Sequence, residues 1–257
     1  MAEPTKFVIA GTQRTGTTLL RTSLSSHPEI NCHGEVFKLG KSPYALPGGY
    51  WAYTRLDGSH RLKAGLLPQR SFRDFLAQLY GQRDKRAVGF KLMLNQFEAR
   101  PYLWPLVMQH HVKVILVTRR NFLKTLVSRQ TAATSGVYHV SASLPAKAAV
   151  TNWVARPVVI DAKTVVQDLD TIAQEVIEWK SRLGQLEFFE LIYETYVQDQ
   201  PNLNAMVLDF LEVPKRVLDS DLKKVNPDRL RNLVANYDEI ADAVRRSPYS
   251  FCLDPDD

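Results

Sequence analysis

Residues 6–18 read KFVIAGTQRTGTT, an apolar run that ends in glycine and passes into a short polar turn. KFVIAG has the unbroken apolar character of a buried strand, and the residues from Thr17 onward have the spacing of a helix that His27-Pro28 stops. Between them, Gly11-Thr12-Gln13-Arg14-Thr15-Gly16-Thr17-Thr18 matches the phosphate-cradling pattern G-x-x-x-x-G-K-[ST] except at the lysine, where Thr17 stands. Backbone N–H groups and a helix N-terminus can still receive a phosphate there. The cation that reaches the β- and γ-phosphates of ATP or GTP is gone, and Arg14 offers a different one from within the loop. A polar strand-to-helix turn with no ligand is the plainer alternative.

Outward from this turn, strands and helices alternate. Residues 30–32 and 87–94 read as strands, and VKVILVT at 112–118 has the β-branched run of a central parallel strand. A further strand is expected at 188–193. Helices are expected at 71–81, 98–110, 121–133, 165–183, 199–211 and 228–245. Residues 40–70, rich in Gly, Pro, Tyr and Trp, read as an irregular excursion, and residues 134–163 show no clear period; both are candidate substrate loops. The pattern implies an α/β, three-layer, P-loop-like fold: a central parallel β-sheet flanked by helices, in one domain over residues 1–257. Ligands of such sheets bind beyond the carboxyl ends of the strands, where residues 12–18, Glu35, Arg119, Arg120 and Tyr193 fall.

At 257 residues, with 45% apolar and 23% charged residues, the composition is that of a globular protein and excludes disorder over most of the chain. No stretch approaches the ~18 apolar residues of a membrane-spanning helix, and the start lacks the pattern of a secretory signal. Two cysteines, Cys32 and Cys252, imply neither a disulfide framework nor a multi-cysteine zinc site. A cytoplasmic protein is therefore expected. Residues 1–160 hold 22 Lys and Arg against 7 Asp and Glu, whereas residues 161–257 hold 11 against 20. No acid lies between Glu98 and Asp161, so the folded chain is expected to present a basin for an anion unless C-terminal acids neutralise it. Without a nucleic-acid-binding signature, a small polyanion suits that basin better than DNA or RNA.

Gln13-Arg14-Thr15-Gly16-Thr17-Thr18 resembles the 5′-phosphosulfate loop, [PR]-[KR]-[ST]-G-[TS]-[TS], of the sulfotransferases that use 3′-phosphoadenosine-5′-phosphosulfate (PAPS), apart from Gln13. Arg120, followed eight residues later by Ser128, is similar to the pair with which that family holds the 3′-phosphate. Asn31-Cys32-His33-Gly34-Glu35 looks like the segment where carbohydrate and tyrosylprotein sulfotransferases carry an acidic residue. Ile192-Tyr193-Glu194 and Asp209–Pro214 resemble the family's Y-E-D-L and F-L-G-V-P region, with Thr195 and Glu212 departing from it. Lys223-Lys224 looks like its late basic segment.

The resemblance implies PAPS as co-substrate, adenosine 3′,5′-bisphosphate (PAP) as product, and no metal. It implies that Arg14, Thr15, Gly16, Thr17, Thr18, Arg120, Ser128, Tyr193, Lys223 and Lys224 bind the nucleotide, with Tyr193 near the adenine. Glu35 is the implied base, His33 the competing one, and Arg14 bridges the 5′-phosphate and the sulfonate. Lys91 interrupts the strand GFKLM; it pairs with Glu35, reaches the sulfonate, or faces water from an edge strand. The implied acceptor is a hydroxyl of a carbohydrate, a glycolipid or another small molecule, with a protein tyrosine as a further class; oligomeric state is left open. A degenerate P-loop kinase and a non-catalytic nucleotide sensor are the competing readings. Glu35 beside the phosphate loop favours an enzyme, and Glu35 turned away favours the sensor.

Overall fold

A computed structural model describes residues 3–38, 49–55, 58–98, 100–135, 156–184, 186–220 and 229–254. In chain order its elements are β1 (Thr5–Gly11), α1 (Thr17–Ser25), β2 (Ile30–His33), α2 (Tyr50–Tyr53), α3 (Gly58–Leu66) and α4 (Pro68–Tyr80). They continue as β3 (Ala87–Met93), α5 (Leu94–Glu98), α6 (Leu103–Met108), β4 (Lys113–Thr118), α7 (Phe122–Ser135) and α8 (Val165–Leu183). The chain closes with β5 (Phe188–Ile192), α9 (Tyr193–Gln198), α10 (Gln200–Phe210) and α11 (Tyr237–Arg245). These residues group into two compact units, one of 1–12, 16–118 and 183–220, the other of 13–15, 119–182 and 221–257.

The first unit holds a five-stranded, wholly parallel sheet in the order β2-β3-β1-β4-β5, as the alternation of strands and helices requires. β1 and β3 pair from Thr5↔Ala87 to Gly11↔Met93, with Ile9 opposite Lys91. Phe7, Ile9, Ile115, Val117 and Leu191 cover one face and pack with Leu20 and Leu24 of α1 and Val207 and Leu208 of α10. On the other face Phe90 meets Tyr80 of α4 and Phe37. Helices thus flank the sheet on both sides. α4 begins on Pro68, whose missing N–H costs nothing at a first turn, and buries Phe72, Phe75, Leu76, Leu79 and Tyr80 at helical spacing.

Part of the region expected to be irregular, 40–70, is ordered. Tyr50 of α2 stacks on Phe72 with ring centroids 3.9 Å apart, and Phe37 and Phe75 complete the cluster. Aromatic burial, rather than periodicity, recruits this segment into the core. Residues 39–48, 56–57 and 136–155 lie outside the described residues, and with them most of the two candidate substrate loops.

In the second unit, Leu123 and Val127 of α7, Val165 and Leu169 of α8, and Ile240, Ala241 and Val244 of α11 form a core. Arg129 forks onto both oxygens of Glu175, at 2.9 and 2.5 Å, linking α7 to α8. The helix expected at 228–245 is shorter: α11 starts at Tyr237, and a single 3-10 turn occupies Leu230–Asn232. Val158 pairs with Val234 as an isolated parallel bridge, and Asn236 exchanges hydrogen bonds with the backbone of Ile160. In the bridge, Val158 N–H donates to the Leu233 carbonyl and Ala235 N–H to the Val158 carbonyl, claiming backbone that a longer helix would have used.

Gly89 shows how closely the sheet is covered. A Cβ there would stand 2.5 Å from the Phe7 ring. Gly89→Ala is therefore expected to cost ~1–3 kcal/mol of overpacking and to lower the denaturation midpoint in urea. Adding Phe7→Leu should recover part of the loss. An unchanged midpoint in the single variant would refute this account of the packing.

Candidate active site

The carboxyl ends of the strands carry the polar groups of interest. β1 runs into Thr12, Glu35 follows β2, Gln96 follows β3, Arg119 and Arg120 follow β4, and Tyr193 follows β5. The turn after β1 has two left-handed residues, Arg14 at φ 68° and Gly16 at φ 92°. Gly16 is required twice over. Its φ suits a residue without Cβ, and a Cβ there would lie 2.4 Å from Cδ2 of Tyr193. Tyr193, expected near the adenine, thus packs on the glycine of the phosphate loop. α1 then starts at Thr17, with Gly16 as its N-cap residue, so the positive end of the helix lies at the loop.

Of the alternatives the sequence left for Lys91, the edge strand facing water is excluded and the pairing with Glu35 is present. β3 is an inner strand, every residue of it is buried, and Lys91 itself is only 5% exposed. Its register opposite Ile9 puts it on the face that α1 covers. There Nζ donates to Thr18 Oγ1 at 2.9 Å and to Glu35 Oε1 at 3.3 Å. Burial pulls its pKa below the ordinary lysine value, and the Glu35 carboxylate opposes that fall. The second oxygen of Glu35 accepts from Gln96 Nε2 at 3.0 Å. The carboxylate is therefore held from two sides beside the loop, with its side chain still 28% exposed.

His33, the competing base, is partly buried, with Nε2 lying 3.3 Å from Gln82 Nε2. Burial, and then the charge of Arg21, hold its pKa below the usual histidine value. Gln96 is the site residue that sequence reading missed. Its only signal was position, three residues beyond the end of β3, where the same strand-end argument that singled out Glu35 applies.

In the second unit, Arg14 Nε donates to Ser128 Oγ at 2.8 Å, and Arg119 donates to the Arg14 carbonyl at 3.3 Å. Two residues read from separate motifs, 114 positions apart, therefore meet directly. Asn121 starts α7 by accepting from the Lys124 N–H at 2.8 Å and donating to the Cys252 carbonyl at 2.8 Å. This cap sets the helix on which Ser128 is buried, while Arg120, just before it, is exposed. Lys223 and Lys224 lie outside the described residues. Among the described residues, no group of three or more His, Cys, Asp or Glu side chains is placed to hold a metal ion, and no helix is long and apolar enough to cross a membrane.

A strand that ends in a glycine turn, the N-terminus of a helix, and a lysine–carboxylate pair beside it form an arrangement that can take an anion and a proton together. The model of the sulfotransferase family matches residues 5–100. Three solved structures give the scale of the wider likeness. The sulfotransferase of Alicyclobacillus acidocaldarius is 17% identical over 95% of both chains, with a TM-score of 0.48. The sulfotransferase domain of the Synechococcus PCC 7002 olefin synthase is 13% identical over 100% of this chain and 83% of that one, also at 0.48. Mouse sulfotransferase SULT7A1 complexed with PAP is 16% identical over 98% of this chain and 75% of that one, at 0.42. A search of curated proteins found no match. The matched residues 5–100 carry the phosphate loop, Glu35 and Lys91, and over them the chain is similar to the sulfotransferase family.

Proposed function

We propose that the protein transfers a sulfonate from PAPS to a hydroxyl of a carbohydrate, a glycolipid or another small acceptor. The observation that carries this reading is the hydrogen-bonded series Gln96–Glu35–Lys91–Thr18, which places a carboxylate and a buried ammonium at the phosphate loop. The groups of the first unit fit a phosphosulfate: the left-handed Gly16, the N-terminus of α1, the hydroxyls of Thr17 and Thr18, and Lys91. When bound, PAPS supplies the sulfonate and leaves as PAP after the S–O bond to its 5′-phosphate breaks.

Every other role falls to this chain. Glu35 takes the proton of the acceptor hydroxyl as its oxygen bonds to sulfur. Gln96 and Lys91 fix the orientation of the carboxylate, so that one geometry is kept without reorganisation. Thr15, Gly16, Thr17 and Thr18 receive the 5′-phosphate, and Lys91 and Arg14 supply positive charge where negative charge grows on the departing oxygen. Arg120 and Ser128 are assigned to the 3′-phosphate, Tyr193 to the neighbourhood of the adenine, and Lys223 and Lys224 to the phosphates. The lysine of ATP and GTP loops is replaced by Thr17, which counts against a kinase. Glu35 beside the loop counts against a sensor that only binds.

Calorimetric titration tests the nucleotide assignment. PAP should bind much more tightly than AMP or ATP without added Mg²⁺. Losing a charge-assisted contact costs ~1.5–3 kcal/mol, so Arg120→Ala should weaken PAP by roughly tenfold to a hundredfold while AMP hardly changes. Equal affinity for AMP and PAP would sink the assignment.

Turnover tests the base. Glu35→Gln keeps the shape and one acceptor but removes the basic oxygen, so the rate should fall by about 10²–10⁴ while PAP affinity stays within roughly twofold. His33→Asn, made in parallel, should be far milder. A dead histidine variant beside an active glutamine variant reverses the assignment.

A further inference from the structure

α3, residues Gly58–Leu66, is a nine-residue helix with no buried side chain. Leu62 and Leu66, one turn apart, are 63% and 71% exposed, and Leu67 just beyond is 52% exposed. Three leucines within six residues, each more than half exposed, two of them on one ridge of α3, make an exposed apolar cluster rather than isolated surface residues. The opposite side of α3 faces the protein: His60 packs edge-on against Tyr53 at 4.7 Å, and Lys63 is ion-paired with Asp74 of α4. The ridge is thus held outward.

Its charge surroundings are mostly basic. Residues 57–74 contain Arg61, Lys63, Arg70 and Arg73 against Asp57 and Asp74, and Asp74 is the partner of Lys63. Arg61, Arg70 and Arg73 are exposed. On α3, helical geometry puts Arg61 about 100° from Leu62, so an exposed cation flanks the apolar stripe. Apolar side chains on the crest of a short helix, flanked by arginines, match the interfacial layer of a bilayer, where leucines enter the acyl boundary and guanidinium groups stay with the headgroups. A peptide partner would need a groove to receive it, and a helix that buries none of its residues offers a ridge.

We propose that the α3 ridge, Leu62, Leu66 and Leu67 with Arg61, Arg70 and Arg73, docks the protein on an anionic phospholipid surface. Docking is peripheral and independent of the transfer chemistry, since none of these residues belongs to the site at the strand ends.

Co-sedimentation of the full chain with vesicles tests this. It should pellet with vesicles of phosphatidylcholine and phosphatidylserine, stay in solution with phosphatidylcholine alone, and be released as salt is raised. Leu62→Glu with Leu66→Glu should abolish pelleting while the thermal midpoint and PAP affinity remain unchanged. Replacing Arg61, Arg70 and Arg73 by Gln should weaken partitioning by roughly fivefold for each charge removed, and this second variant, with its leucines intact, decides the matter should the first misfold. Failure to pellet with phosphatidylserine vesicles would overturn the proposal, as would equal pelleting of both variants and the unaltered chain. Retention on immobilised poly-glutamate without vesicle binding would overturn it in favour of an acidic protein partner.

Discussion

An ammonium group inside a parallel sheet costs several kcal/mol unless it is paired, and Lys91 sits in a strand whose residues are all buried. Much of the site follows from that cost. The pairing of β1 with β3 directs Lys91 toward α1, and a slip of one residue would turn it to the opposite face. On the correct face it needs acceptors, and two elements supply them: the first turn of α1 through Thr18, and the segment after β2 through Glu35. The carboxylate is then placed by an electrostatic requirement of the core, with Gln96 holding its second oxygen. A group expected to move a proton is thereby kept in one orientation, although it stands in a connecting segment rather than on a strand or helix.

The phosphate loop depends on a second constraint of the same kind. The ring of Tyr193, at the end of β5, occupies the space a Cβ on Gly16 would need. Aromatic packing and a left-handed backbone therefore demand the same residue at one position, which ties the loop conformation to the far side of the sheet order. Arg14 is also left-handed, at φ 68°, where a non-glycine residue carries strain. Its bond to the buried Ser128 is one compensation for that strain.

Elements with strong local signals were legible in the sequence. The β-branched run of β4 and the long amphipathic α8 appear where their patterns put them, and the strand–glycine–helix reading of residues 6–25 holds. α3 was not legible, because its leucines face outward and no buried stripe imposes a helical period. The start of α11 was misplaced because Asn236 and Val234 bind the backbone near Ile160 and Val158, partners remote in sequence. At the site, Lys91 announced itself as a charge in an apolar strand, but its partner lies 56 positions away, and spacing alone could not choose between pairing and solvent. Gln96 belongs to no motif. An amide that orients another side chain leaves no pattern, and only three-dimensional proximity shows its use.

The replacement of the usual loop lysine by Thr17 acquires a physical sense from the cations that remain. A phosphoryl group in transit carries more negative charge than a sulfonate, and a lysine at the head of the helix is placed to meet that excess. In this chain the first unit brings to the loop the ammonium of Lys91 from β3, already shared between a carboxylate and a threonine hydroxyl. Its charge is partly spent before any ligand arrives, which suits a group of lower charge better than a triphosphate. On the proposed reaction, the same pairing would let Lys91 lean toward the leaving oxygen as charge grows there while Glu35 becomes neutral on taking a proton. In that reaction the carboxylate loses its hold on the ammonium at the step where the departing phosphate needs it, so proton removal and leaving-group stabilisation are coupled through a single side chain.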